Sequence, residues 1–490
     1  APKMWLLTLT GVLTSIGFAV FDDEPWLMRM VKNGVEVIIQ ICVDDIKWAT
    51  EDSSRGVQEL KRVIGLLGDR FSTTLGVEMV NSKNVSEMNL QDAAITNYLG
   101  LRYVRTKDAN GKVVMVVDQT TYIDKLTKRF GLEEVTALRN TPLPGGTCLS
   151  QLERNLTPGK TDQPKIEAWS KEYSYPMIVG SLIHAMVHTR PDIAYAVSVL
   201  SRAMSKPDLW HFKGAQHLLS YLKKTREIGI TYSQHNMKVH QNGVSASVDC
   251  GVSTGEYTTF DRHLTGAVDA SFADDEETYR STSGFVVFFG GSPVDYECKR
   301  QPLVTMSTME SEYVAACKCV LAILFLHKML KFMGIEREGP TQVMEDNTAC
   351  IAVAGQPVHK SRSKHIGTKF HRVREACQSG EVQLVAVLTE HQVADIFTKS
   401  LNKTDFERLR DTLMGNVPFA YMVANHRKED SNVAAKVNQV YRKNENVKTK
   451  GVMPFVVPIE DCTEKDCYSI GSVILGLDRD ESRETLLYDG

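Results

Sequence analysis

Paired CxxC motifs are missing from this sequence. Its ten cysteines, at 42, 148, 250, 298, 317, 319, 350, 377, 462 and 467, include no CxxC with a matching second pair. That argues against structural zinc, and thiols so scattered in a large chain fit a reducing, cytosolic or nuclear setting. A charge excess is missing too. Net charge is −3, so any surface for a polyanion has to be local. No repeat of about 20 to 50 residues and no low-complexity tract is present, so the chain is not a repeat array. One uncharged run, Met4 to Phe21, has the length of a signal-peptide core or short membrane span at 18 residues. Thr8, Thr10, Thr14, Ser15 and two glycines dilute it, and no A-x-A-like cleavage site follows. The run reads instead as an amphipathic helix leading into a strand, with no membrane partner.

What is present is a globular composition, 42% hydrophobic and 24% charged over 490 residues. At about 150 residues per domain this suggests roughly three domains. The first residue is Ala rather than Met, which raises the expectation of a fragment of something longer. Residues 1 to 85 combine the N-terminal helix, a hairpin and a second helix in "SSRGVQELKRVIGLLGDRF". "DANGK" (108 to 112) marks a strand pair by its Asn-Gly turn, and "QTTYIDKLTKRFGL" a helix ending at Gly131. Pro and Gly between 141 and 164 mark a linker and a domain boundary. Residues 171 to 228 are helical in pattern, and 233 to 264 read as an irregular insertion. From 265 to 414 the order strand, strand, strand, helix, strand, helix, strand, helix predicts a mixed α/β domain. The polar, weakly periodic tail, 425 to 490, is expected to be loosely ordered.

Two groups of carboxylates carry the chemistry. "VIIQICVDDIKWAT" (37 to 50) sets Asp44 and Asp45 beside an apolar strand, where two acids are unfavourable unless a turn or a cation relieves them. It reads as a surface hairpin tip or as a metal-binding one. Further on, Asp269 in "GAVDASFADD", Glu312 in "STMESEYVAA", Asp346 in "TQVMED" and Asp395 in "QVADIFTK" stand at element ends or inward positions. Glu312 falls early in an apolar helix with Ser307 or Thr308 as N-cap, and Asp395 in the first turn of the last helix. Apart, they are caps and surface acids. Together, they could hold two divalent cations able to activate water and stabilise the leaving oxygen of a phosphodiester.

"DASFADD", "RSTSGFVVFFGG", "STMESEYVAA", "EDNTACIAVAGQPVHKSRSKHIGTKFHRVRE" and "VADIFTKSL" resemble the ribonuclease H domain of copia-type LTR-retrotransposon Pol polyproteins, in family order. "YPMIVGSLIHAMVHTRPDIAYAVSVLSRAMSKP" and "HLLSYLKKTREIGITY" resemble the segment joining polymerase to ribonuclease H; "NYLGLRYVR" and "QTTYIDKLTKRFGL" resemble the far part of the polymerase. The resemblance covers nearly all of 1 to 414 and none of the tail. It implies an α/β multidomain chain: an incomplete α+β polymerase palm and thumb (1–145), a helical connection (165–232) and a ribonuclease H-like mixed sheet (265–414). It further implies that Asp269, Glu312, Asp346 and Asp395 bind Mg²⁺ or Mn²⁺ for cleavage of the RNA strand of RNA–DNA hybrids. Glu312 is preferred to Glu310 because the family's acid directly precedes the aromatic of "ESEY". Asp249, in "SVDC", is a rival to Asp269, but only Asp269 is followed by "ADD" and "RSTSG".

"CVDD" resembles the family's polymerase hairpin, aromatic-Val-Asp-Asp, with Cys42 in the aromatic's place; Asp44 is then the metal ligand and Asp45 its neighbour. The family's first polymerase aspartate lies upstream of the stretch matched here, and Asp22 and Asp23, at a turn, do not replace it. Polymerisation on an RNA template is therefore expected only of a complete parent protein. The basic run "KSRSKHIGTKFHRVR" (360 to 374), with Lys360, Arg362, Lys364 and Lys369, either tracks phosphates or is a solvated face. Arg280, Lys299 and Arg300 would meet a second strand. His391, near Asp395, reads as an incidental loop histidine rather than a proton shuttle, and Arg190 and Asp192 of "TRPDI" as either a structural pair or a nucleic-acid contact. A non-catalytic nucleic-acid-binding or protein-interaction remnant is the alternative function, and the expected setting is cytoplasmic or nuclear, in the virus-like particle of a retroelement. Self-association is left open.

Overall fold

The computed structural model describes residues 2–42, 45–51, 53–71, 73–75, 78–80, 82–84, 86, 95–107, 113–133, 136–145, 149–233, 264–337, 339–355 and 371–416. They fall into two compact units, one of the described residues in 1–94 with 329–335 and the other of those in 95–328 and 336–416. The expected insertion, the tail and most of the basic run lie outside the described residues.

In the first unit, helix α1 (Pro2–Ile16) leads into an antiparallel sheet of β1 (Ala19–Phe21), β2 (Glu24–Lys32), β3 (Val35–Cys42) and β4 (Asp45–Thr50), paired in that order. Alternate residues of β3, Val37, Ile39 and Ile41, share a core with Leu9 and Leu13 of α1. Helix α2 (Ser54–Gly68) adds Val63 and Leu67, four apart on its apolar face. Its N-cap is Ser53, whose hydroxyl accepts from the Gly56 amide at 3.0 Å. The uncharged N-terminal run is thus a packed helix followed by a strand. A short pair, β5 (Thr73–Leu75) and β6 (Glu78–Val80), completes the strands among the unit's described residues.

The second unit begins with β7 (Ile95–Tyr98), β8 (Leu101–Lys107) and β9 (Val113–Asp118), the last two being the pair expected around the Asn-Gly turn. Their sheet is completed by β10 (Ile230–Ser233), antiparallel to β9, which ties this part of the chain to the helical region. That region holds α3 (Thr120–Arg129), α4 (Leu149–Leu156), α5 (Gln163–Glu172), α6 (Tyr175–His188), α7 (Ala194–Ser201) and α8 (Leu209–Lys224). Helix α4 corrects the linker reading. Pro and Gly flank it, but Leu152 and Leu156, one turn apart, are buried in the common core, so 141–164 is not a break in the fold.

Between α6 and α7, Arg190 and Asp192 are fully buried. The guanidinium donates to both carboxylate oxygens at 2.8 Å, and to the hydroxyl and carbonyl of Thr225 at 2.7 and 3.0 Å. The Tyr221 hydroxyl donates to Asp192 at 2.6 Å. "TRPDI" therefore forms a structural knot onto α8, out of reach of any nucleic acid.

The last sheet follows the expected element order, except that two short helices rather than one separate its last two strands and a 3₁₀ helix precedes the final helix. Strands β11 (Leu264–Ser271), β12 (Thr282–Phe289) and β13 (Ser292–Arg300) form an antiparallel meander. Helix α9 (Thr308–Phe332) follows, then β14 (Thr341–Glu345), α10 (Thr348–Ala354), α11 (Arg372–Gln378), β15 (Val382–Ala386), a 3₁₀ helix at Val393–Phe397, and α12 (Lys403–Leu413). Strands β14 and β15 add parallel to β11, giving the order β13-β12-β11-β14-β15. Helix α9 is the one described helix long and apolar enough to cross a membrane, yet 61% of its apolar window is buried inside the fold. Gly266 lets it close on β11, since a Cβ there would stand 2.9 Å from Sγ of Cys319. Helical region and sheet share one apolar core, in which Leu182 and Val199 join Val286, Phe288 and Phe397. The Tyr296 hydroxyl of β13 reaches the carbonyls of Met186 and Val187, both at 2.8 Å.

The Arg190→Ala substitution leaves Asp192 buried without its counter-charge. Urea denaturation should show a loss of about 3–5 kcal/mol; a loss below about 1 kcal/mol would mean the knot is dispensable.

Candidate metal centre

Asp269 lies near the end of β11, 2% exposed, in a row that runs across the sheet to Gly284 and Cys298. At Gly284 a Cβ would stand 2.5 Å from that of Phe397 and 2.9 Å from Cγ2 of Thr398. The missing side chain lets the 3₁₀ helix lie directly on β12. Gln392 caps that helix and clamps the sheet below it, its amide donating to the Val268 carbonyl at 2.9 Å and the Met344 carbonyl at 3.4 Å. Asp395 is therefore on this separate turn and not in the final helix, a correction to the sequence reading. The chain Thr398 to Leu401 leaves the helical path before α12 starts.

Glu312 enters from the first turns of α9. Ser307 caps that helix, its hydroxyl accepting from the Glu310 amide at 3.2 Å, while the Glu310 carboxylate accepts from the Met306 amide at 2.7 Å. So Glu310 serves the helix start and Glu312 is directed to the sheet. Asp346 comes from the residue just after β14. One carboxylate oxygen each from Asp269, Glu312 and Asp346 lie within 4.8 Å of one another. Asp395 joins through Lys399, whose ammonium donates to Asp395 at 2.7 Å and to Asp269 at 3.3 Å. The Thr398 hydroxyl donates to the other Asp269 oxygen.

Burial and mutual repulsion dominate the electrostatics. Burial, with the charges of Glu345 and Asp269 added, pushes Glu312 up to about 11. Asp395 is raised to about 7, first by burial and then by Asp269, with Lys399 opposing. Asp269 is raised by burial against the pull of Lys399 and Thr398. Glu345, fully buried behind the cluster, is raised by burial although the Asn347 amide donates to it at 2.9 Å. Oε2 of Glu312 and of Glu345 have no hydrogen-bond partner among the described residues. Hard oxygen donors without His or Cys, one of them buried and unsatisfied, are a donor set fitted to a divalent cation.

The remaining candidates lie elsewhere. Asp45 is exposed on β4, opposite Cys42 across the hairpin, and Asp44 is outside the described residues. Lys360, Arg362, Lys364 and Lys369, like Asp249, are also outside them. Lys299 is exposed but pairs with Ser283, in the row next to that of Asp269, so it belongs to the opposite sheet face. Arg280 is half-buried in the loop before β12, and Arg300 pairs with Asp275. His391 is buried, its Nε2 2.9 Å from Glu390. Sequence reasoning passed over Lys399, Gln392 and Glu345. A lysine four residues after Asp395 was a readable signal for the first; nothing local marks Gln392.

The raised carboxyl groups set the sign of a pH effect. Unfolded, these acids ionise near 4; folded and metal-free they hold their protons until higher pH, Asp395 to about 7. The contribution of Asp395 is therefore full below about pH 4 and lost as pH rises through about 7, while that of Glu312 persists toward about 11. The metal-free protein should lose more melting temperature between about pH 5 and pH 8 than its Asp269→Asn variant does, and divalent cations should restore it at about pH 8 only. Parallel pH profiles for the two proteins would contradict this.

No family model and no solved structure matches the chain. It is 26% identical over 413 residues to the retrovirus-related Pol polyprotein from transposon TNT 1-94 of Nicotiana tabacum, covering 84% of this chain and 27% of that protein. The Pol polyprotein from transposon RE1 of Arabidopsis thaliana is 27% identical over 409 residues, 83% of this chain and 24% of that protein. Secreted RxLR effector protein 161 of Plasmopara viticola is 31% identical over 156 residues, 93% of its length but 32% of this chain. The chain thus spans about a quarter of the Pol polyproteins it matches. Their similarity runs through helical region and sheet alike, and supports an origin in the Pol polyprotein of a copia-type retrotransposon.

Proposed function

We propose that the 264–413 sheet hydrolyses the RNA strand of RNA–DNA hybrids as a ribonuclease H, with Mg²⁺ or Mn²⁺ as cofactor. RNA-directed DNA polymerase activity is assigned only to the complete polyprotein, with Asp44 and Asp45 as its hairpin acids. The observation that carries the reading is the convergence of Asp269, Glu312 and Asp346, from two strands and a helix far apart in sequence, to within 4.8 Å. The sheet with acids at one end, and similarity to the Pol polyproteins, support it.

Bound divalent ions would supply an activated water and stabilisation of the leaving oxygen. The protein's part is to fix the ligands. Asp269 is held on a central strand by Thr398, and Glu312 offers an oxygen with no other partner. Asp346 stands half-buried at the cluster's rim, open to a phosphate. Selection of a hybrid would come from its A-like shape and 2′-hydroxyls, and the basic run at 360–374 would add a salt-dependent affinity for phosphates.

A labelled hybrid should yield RNA fragments with Mg²⁺ and none with chelator. The Asp269→Asn variant should lose more than about 100-fold, because even outer partners of metal ligands cost roughly 10–100-fold. Equal product from the variant, or none from either protein at any Mg²⁺ concentration, would leave the chain as a binding module.

A further inference from the structure

We propose that Lys399 is a resident counter-cation of the acid cluster, seated between Asp269 and Asp395 in the metal-free protein and displaced when a divalent ion binds. The inference rests on the metal-centre reading above and deepens it.

Three observations carry it. The ammonium is bonded to two of the acids at once, 2.7 Å from Asp395 and 3.3 Å from Asp269. It takes Oδ1 of Asp269 while Thr398 takes Oδ2, so neither oxygen of that carboxylate is free of a donor. A divalent cation drawing on the same oxygens meets both a competitor and a like charge. The side chain of Lys399 is also 38% exposed, whereas Asp269 beneath it is 2% exposed. Four methylenes and a compact ammonium can therefore swing to water without disturbing the 3₁₀ helix that anchors the residue.

The rival is a permanent tether, in which Lys399 positions Asp395 whether or not metal is bound. The two differ in one respect. A displaced counter-cation stabilises only the metal-free state, while a tether stabilises both.

The test is a thermal melt of the full chain against MgCl₂ and MnCl₂ alone, for wild type, Lys399→Gln, Lys399→Arg and Asp269→Asn. Without metal, Lys399→Gln should melt below wild type and Lys399→Arg close to it. At saturating metal the gap should close, and Lys399→Gln should reach its half-maximal shift at about tenfold lower metal than wild type. A gap that persists undiminished at saturation, or an unchanged midpoint, overturns the proposal while leaving the metal centre standing. If neither wild type nor Lys399→Gln responds to metal, the metal centre falls and the counter-cation with it. A response from wild type that Asp269→Asn lacks separates the cluster from other acids on the surface.

Discussion

Carboxylates crowded together out of water cannot all be ionised without a positive charge among them. That constraint organises the C-terminal sheet. Asp269, Glu312 and Asp346 come within 4.8 Å, Asp395 and the buried Glu345 add to the repulsion, and among the described residues Lys399 is the cation bonded inside the group. Burial pushes their protonation upward, a state in which they neither repel nor ligate. The fold holds the acids in place through contacts that carry no charge: Gly284 makes room for the 3₁₀ helix, Gln392 staples β11 to β14, and Ser307 starts α9 in the right register.

Much of this was readable from residues. The element order of 264–413 follows from runs such as "GFVVFF" and from the apolar helix after Ser307. Asp269 and Glu312 could be picked out because each stands in an apolar strand or helix context, although taken singly each also reads as a cap or surface acid. What could not be read was tertiary. Pro and Gly near 141–164 looked like a break, yet α4 between them buries Leu152 and Leu156. Burial, not local composition, decided the outcome. Asp395 seemed to belong to the last helix because "VADIF" has helical spacing; its packing on Gly284 selects a tighter 3₁₀ turn instead. Lys299 looked suited to the site until strand register sent it to the other face.

The same distinction separates the two charged pairs that the sequence displays most openly. "TRPDI" and "VDD" both pair charges in an apolar setting. The first closes on itself, with every guanidinium and carboxylate group bonded inside the helical region. At the second, Asp45 stays at an exposed hairpin end. Satisfied burial marks a residue that builds; an acid at a surface turn is available to something else.

The shared core has a consequence for how this stretch of chain can be divided. Val286, Phe288 and Phe397 bury against helices far upstream, and Tyr296 is anchored to the end of α6. A sheet trimmed at Leu264 would bring its acids along but carry a bare apolar flank where those helices had been. Its natural severing point lies ahead of the helical region, so the acid cluster and the helices are heritable as one piece.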